Sequence, residues 1–294
     1  MYFVSIIASL SFLSAPNPRP RQMPVNHASA VSLWAALGVA TFPVLFRVSA
    51  PYGKLVRDGW GPRVDGRWGW FVQEIVSPVT LTAVYLRGIN TDDDAGFVFD
   101  DAGGPTGRPI DSPRARGWVV LFLALWWAHY VNRAVVYPLS RRMSDTTLPV
   151  VAMAVTFNLI NGTLMGAELA HGSAHLARPR LGPLAGGLAL FALGAAVNVS
   201  ADRALRRLRK SPADTKHYVP RGGLFERVAC PHYLGEVTEW IGFALATQTR
   251  AGWAFAFWTF ANLLPRAVAY RAWYREKFGD KYPKRVRAMI PFVW

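Results

Sequence analysis

Seven apolar runs, separated by polar and mostly basic segments, set the pattern of this chain. They fall at about 30–47, 69–87, 117–137, 148–168, 182–200, 232–249 and 251–270. Each approaches the roughly 17–25 residues that a helix needs to cross hydrocarbon. No segment alternates apolar and polar residues over the length a membrane β-barrel requires. Lipid cannot satisfy open backbone groups, so the runs must be helices. The expected fold class is an all-α integral membrane protein, a seven-transmembrane-helix bundle. The sixth and seventh runs are joined only around Thr249–Gly252 and should form a tight helical hairpin. No internal repeat is evident.

The N-terminal stretch "MYFVSIIASLSFL", ahead of the seven runs, is too short to span and lacks the basic n-region of a secretory signal. The Pro-rich "SAPNPRPRQMPVNHAS" follows. Residues 1–28 therefore read as a flexible polar lead-in, with Met23 as an alternative start, and 29–294 as a single membrane domain.

Composition agrees with this reading. Of 294 residues, 52% are hydrophobic and 17% charged, against about 25% charged in soluble domains. The net charge of +15 would suggest nucleic acid in a soluble protein. Here the basic residues sit between apolar runs and orient the chain in anionic lipid instead. Loops 48–68, 138–147 and 201–231 and the tail from 271, with Arg47 and Arg266, hold 23 Lys and Arg. The opposite loops, with Arg87 and Arg250, hold 7, and also carry the acidic stretch "NTDDDAGFVFDD". This bias places the C-terminus in the cytoplasm. The single cysteine, Cys230, excludes an intrachain disulfide and a multi-thiolate metal site.

Polar residues inside the runs are the candidates for chemistry, because a charge at mid-bilayer costs about 2.5–3.5 kcal/mol to insert. The second run holds Gln73 and Glu74, the third His129, Tyr130, Asn132 and Arg133. The fourth holds Asn158, Asn161 and Glu168, the fifth Asn198 and Asp202, and the sixth His232, Glu236 and Glu239. Some have plainer explanations. Arg133 can snorkel, Asn158 and Asn161 can bond between helices, and Glu168, near a span end, is expected to be solvated. His171 and His175 have the spacing of a metal pair, but the short loop offers no third ligand, and no metal is expected. Positions 232, 236 and 239 share one helix face beside the basic 201–231 loop. Together these groups describe a pocket lined by acids, amides, Tyr and Arg, open toward the cytoplasm. An elongated apolar substrate can enter it from lipid while a charged cofactor docks from below. Neither GxGxxG nor GxxxxGK[ST] occurs, so a Rossmann or P-loop site is unsupported.

The motifs carry a resemblance. "GGLFERVACPHYLGEVTEWIGFALAT" followed by "LLPRAVAYRAWYREKFGDKYPKRVRAMIPFVW" resembles the C-terminal half of the steroid 5α-reductase family. Upstream, "NVSADRALRRLRK", "HYVNRAVVYP" and "WFVQE" extend it, in order, over most of residues 68–294. The resemblance implies a seven-helix membrane reductase that uses NADPH to reduce a carbon–carbon double bond conjugated to a ketone, typically in a 3-oxo-Δ4 steroid. Relatives reduce polyprenols or enoyl thioesters. By the family pattern, Glu74 and Tyr130 form the donor pair that stabilises the enolate oxygen, with Glu74 protonated in its apolar surroundings. Gln73 orients Glu74 or the nicotinamide. Motif positions carry the cofactor role to Asn198, Asp202, Arg209, His232, Glu236, Arg266 and Tyr274, with Arg133 as an additional candidate. Arg209 suits a phosphate, which a guanidinium fork binds bidentately. Arg141 and Arg142 are candidates for a 2′-phosphate from charge alone.

The chain departs from the family in places. Tyr270 stands where steroid-reducing animal members carry a His. His232 replaces the Asn of many members, as in polyprenol-reducing relatives. Val286, between Arg285 and Arg287, occupies a position that is often Arg. These departures bear on the substrate more than on the reaction. The Ala/Arg/Gly-rich usage points to a GC-rich bacterial genome, hence an inner-membrane location; a eukaryotic member would reside in the endoplasmic reticulum. A monomer is expected. Two other classes compete. An isoprenylcysteine-type methyltransferase using S-adenosylmethionine has a His-Pro order where this chain has Pro231-His232. A lipid-binding or transport module would not need Glu74 and Tyr130 together. Glu239 stays open, as a second cofactor contact or an interhelical partner.

Overall fold

A computed structural model describes residues 27–49, 51–55, 58–90, 112–141, 143–171, 174–209, 211, 214 and 216–293. Most of the N-terminal lead-in, the acidic stretch after Asn90 and Arg142 lie outside the described residues.

The chain is mostly helical. Among the described residues, seven long helices follow the seven apolar runs: α1 (His27–Leu45), α2 (Gly66–Asn90), α3 (Pro113–Leu139), α4 (Leu148–His171), α5 (Leu181–Arg207), α6 (Pro231–Thr247) and α7 (Arg250–Phe278). Of these, α1, α3, α4 and α5 are long and apolar enough to cross a membrane. Helix α6 has only 17 residues. Helices α2 and α7 have the length but carry polar and charged positions that dilute their apolar character. The buried polar groups that make these three helices chemically interesting also make them poor lipid spans by composition.

Helix pairs are set by glycine. On α5, Gly187 and Gly194 face Gly242 and Gly235 of α6. A Cβ at any of the four would run into the partner's backbone. The two helices therefore touch backbone to backbone, as small residues permit in membrane bundles. Gly162 and Gly166 of α4 play the same part against α2 around Ser77 and Leu81. Aromatic side chains fill the space between these pairs. Trp126 of α3 packs on Trp240 and Phe243 of α6 and on Phe255 of α7, at ring separations of 4.7, 5.2 and 5.0 Å.

The α6–α7 hairpin forms as expected. Gln248 adopts a left-handed conformation with φ 54° and ends α6. Thr249 caps α7 by accepting from Gly252 N–H at 3.2 Å. Glu168 corrects the sequence expectation, because it is buried rather than solvated. Its carboxylate accepts from the Arg250 and Ala251 N–H groups, both at 2.7 Å. Helix N-termini leave such donors without intrahelical partners, and here a residue 82 positions away supplies the acceptor. Replacing Glu168 with Ala strands the buried Ala251 N–H and the part-buried Arg250 N–H, so a loss of about 1.5–3 kcal/mol is expected. A thermal melt in detergent checks this; an unshifted melt would show the cap to be dispensable.

Two short strand contacts tie the loops at the polar end of the bundle. Strand β1 (Arg63–Val64) pairs antiparallel with β2 (Thr146–Thr147). The C-terminal tail straps onto the entry to α6. Ala229 N–H donates to Arg287 O at 2.8 Å, Cys230 N–H to Ala288 O at 3.1 Å and Arg287 N–H to Arg227 O at 2.9 Å. The two basic segments thus meet on one face. Val286 turns into the core at 1% exposure, while exposed Arg285 pairs with Glu226 at 3.3 Å. The Gly222 N–H, and then Arg285, hold the Glu226 carboxyl below its usual range.

Candidate active site

Both residues of the expected donor pair lie at irregular turns. In α2, Pro78 has no N–H, so the helix bond to the Glu74 carbonyl is missing. In α3, a π-turn over Asn132–Val136 begins two residues after Tyr130, and such turns are frequent at functional sites. It leaves one carbonyl open. In the π register the Arg133 carbonyl would look to residue 138, a proline. The Trp70 indole of α2 supplies the donor instead, at 2.8 Å.

The π-turn aims Arg133 inward, where it is 6% exposed. Its guanidinium lies 3.6 Å from Asp202 of α5 and 3.6 Å from Glu236 of α6. It also sits over the rings of Trp70 and Tyr137, at 5.1 and 4.7 Å. Arg133 is therefore a buried hub and not a snorkelling cation. Arg141 joins the network, 3.5 Å from Asp202 and 3.9 Å above the Tyr137 ring, and donates to the Tyr137 hydroxyl at 2.5 Å. Asn198 of α5 donates to the His232 carbonyl at 2.9 Å and to Glu236 at 3.3 Å.

Glu74 belongs to this cluster electrostatically, coupled to Arg133, Glu236 and His129. Two guanidinium groups already face Asp202 and Glu236, so Glu74 shares Arg133 and has no cation to itself. Tyr130 is coupled to Glu74, shares a hydrogen bond with Ser77, and stacks on Trp126 at 5.6 Å. Gln73 is held through its backbone, whose carbonyl accepts from Asn158 at 2.6 Å.

A second cation extends the cluster. Arg266 of α7 donates to the hydroxyls of Tyr233 and Tyr270, both at 3.1 Å, and to the Tyr52 carbonyl at 2.8 Å. It lies 3.4 Å over the Tyr52 ring. Tyr52 in turn neighbours Trp70 at 6.1 Å, which links the two cations through aromatic rings. Tyr270 thus serves as an Arg266 partner where a His was expected.

Glu74, Tyr130, Gln73, Asn198, Asp202, His232, Glu236, Arg133 and Arg266 are accordingly gathered at one end of the bundle. Two candidates stand apart. Arg209 follows the end of α5, seven residues past Asp202, roughly 10 Å along the axis. Tyr274 is 2% exposed and stacks flat on Tyr282 at 5.1 Å, fastening the tail. Sequence reasoning missed Tyr52, Trp70 and Tyr137. Their only signal was aromatic content near the basic loops, which membrane-interface anchoring explains equally well. Glu239 makes an interhelical contact, 2.9 Å from His129 Nδ1.

The unused polar atoms of the cluster suit an anionic, hydroxyl-rich cofactor. Among the described residues, Gln73 Oε1 and Arg141 Nε are buried without a hydrogen-bond partner. Buried polar atoms are rarely left so. An acceptor for a carboxamide and a donor for a phosphate fit the groups that a nicotinamide dinucleotide offers.

Residues 144–294 match the family model described as 3-oxo-5-alpha-steroid 4-dehydrogenase. The chain is 38% identical over 265 residues to steroid 5-alpha-reductase DET2 of Gossypium hirsutum, covering 88% of this chain and 93% of that protein. It is 36% identical over 266 residues to 3-oxo-5-alpha-steroid 4-dehydrogenase 1 of Bos taurus, covering 89% and 94%. Over 274 residues it is 33% identical to the Homo sapiens protein of that name, covering 91% and 95%. With the polar cluster occupying one end of a helical bundle and relatives matched over nearly their whole length, the chain belongs to the steroid 5α-reductase family and is an oxidoreductase acting on CH–CH groups.

Proposed function

We propose that this protein reduces the Δ4 double bond of a 3-oxo-Δ4 steroid, or a similar lipophilic enone, with NADPH as reductant. The observation that carries the reading is the placing of Glu74 with buried Tyr130 and Arg133 beside the two helix irregularities, next to unused polar atoms of Gln73 and Arg141 that match a nicotinamide nucleotide.

The cofactor, when bound, supplies a hydride to the β-carbon of the enone. Negative charge then builds on the substrate's carbonyl oxygen. Glu74, in its protonated form, and Tyr130 donate hydrogen bonds to that oxygen. Preorganised donors in a dry site stabilise such charge far better than water does. Gln73 holds the carboxamide end of the cofactor. Asn198, His232 and Glu236 serve its amide and ribose groups; Asp202 holds a ribose hydroxyl. Arg141, Arg209 and Arg266 meet the phosphates, with Arg133 keeping the acids between them in place. Tyr274 acts by fixing the tail against α7. The resulting enolate takes a proton at the α-carbon, drawn from solvent, and becomes the saturated ketone.

The seven helices form a multi-pass bundle, in which α6 and α7 are mostly buried while α2 turns Val72, Val79 and Leu86 outward to lipid. The Lys and Arg bias puts the C-terminus and the cofactor face in the cytoplasm. The relatives reported above are eukaryotic, and by analogy the membrane is that of the endoplasmic reticulum; a bacterial source would place it in the inner membrane. The substrate enters from the bilayer, and the working unit is a monomer in contact with lipid.

One assay tests this. Detergent-solubilised protein with a 3-oxo-Δ4 steroid and NADPH should consume NADPH and yield a product two mass units heavier. Absence of turnover, together with tight binding of S-adenosylmethionine, would turn the reading toward a membrane methyltransferase.

A further inference from the structure

Beside Tyr130 lies an ion pair that the proposed reaction does not use. His129 Nδ1 stands 2.9 Å from Glu239 Oε1, and the side chains are 5% and 2% exposed. The His129 ring lies edge-on to Tyr130 at 5.1 Å and to Trp240 at 4.6 Å. Behind Glu239, Gly194 of α5 abuts the Glu239 backbone. Helix α6 therefore cannot retreat from α3 on that side.

We propose that the His129–Glu239 pair is a positioning device for Tyr130. Three considerations lead there. First, stability is a weak reason to bury such a pair, since well-packed apolar replacements are often as stable. Second, α3 loses its regular ladder directly past Tyr130. The Asn132 N–H is divided between the Ala128 and His129 carbonyls, and the π-turn follows. The downstream ladder thus cannot set the rotation of residue 130 about the helix axis. A bond from the adjacent residue to a neighbouring helix can. Third, the contact with Tyr130 and Trp240 is edge to face, so fixing the imidazole torsion fixes the wall against which the phenol rests.

This inference rests on the reading of Tyr130 as a donor to the substrate, and the experiment separates the two. The full-length protein is assayed with the steroid and NADPH. His129→Phe/Glu239→Leu removes both polar groups together, so that neither is left unpaired. Glu239→Asp keeps the charge but shortens the reach; Glu239→Gln keeps an acceptor at the same reach. Both the double variant and Glu239→Asp should lose about 10- to 100-fold in kcat, the scale of a small misplacement of a reacting group. Steroid KM and NADPH Kd should move by less than about threefold, since the loss falls on the transition state. Glu239→Gln should keep at least about a third of the parental kcat, because a neutral acceptor still holds the imidazole. Added to Tyr130→Phe, the double variant should cost nothing more, since coupled residues are not additive.

Parental kcat in Glu239→Asp or the double variant, an additive loss on the Tyr130→Phe background, or a loss that tracks NADPH Kd overturns the inference. If the double variant does not fold, Glu239→Asp alone decides by the same readouts. Tyr130→Phe at parental kcat removes the donor reading and this inference with it.

Discussion

Replacing Tyr130 with Phe is expected to lower kcat for the enone by roughly 10²- to 10³-fold, the loss for one oxyanion donor. NADPH affinity should be nearly unchanged. The phenol is 4% exposed, stacked on Trp126 and bonded to Ser77. Phe keeps the stacking and removes only the hydroxyl. The effect should therefore appear as a fall in kcat and in kcat/KM alike, the sign of an interaction made in the transition state. Glu74→Gln should behave similarly, because an amide donates less well than a carboxylic acid. Single-turnover rates and cofactor titration check both. A Tyr130→Phe protein with intact rate but lost NADPH binding would reverse the assignment of roles.

The second large effect concerns stability. Arg133→Met should destabilise the protein by about 3–5 kcal/mol, the usual cost of removing one partner of a buried ion network. Asp202 and Glu236 each lie 3.6 Å from the guanidinium, and the three side chains are between 8% and 13% exposed. Methionine matches the bulk of the stem and leaves two buried acids facing each other, with Arg141 near Asp202 alone. Thermal unfolding in detergent measures this. Arg133→Lys should recover only part of the loss, since an ammonium cannot span two carboxylates as a planar fork does. A variant that melts with the parent would show Arg133 to be peripheral to the fold.

These cases show what was legible from residues in order. The seven runs follow from hydropathy, and the shared face of His232, Glu236 and Glu239 follows from helical spacing. The hairpin at Thr249 follows from the missing linker. Glu168 was misread because nothing near it in sequence reveals the α7 N-terminus that it caps. Arg133 was read partly as a snorkelling cation, because a π-turn that redirects a side chain leaves no periodic trace. Tyr52 could not be found at all: its value comes from lying under Arg266, which is 214 positions away.

The sequence by itself determined the number and order of the helices, the basic bias of one face and the polar positions able to do chemistry. Each of these depends on transfer free energy and on the 3.6-residue period, which are local properties. Only the tertiary structure decided that Glu239 belongs to His129, that Asp202 and Glu236 share Arg133, and that Gln73 and Arg141 keep unused polar atoms. Those outcomes depend on which helix faces meet, and glycine contacts between α5 and α6 and between α2 and α4 set the meeting at backbone distance.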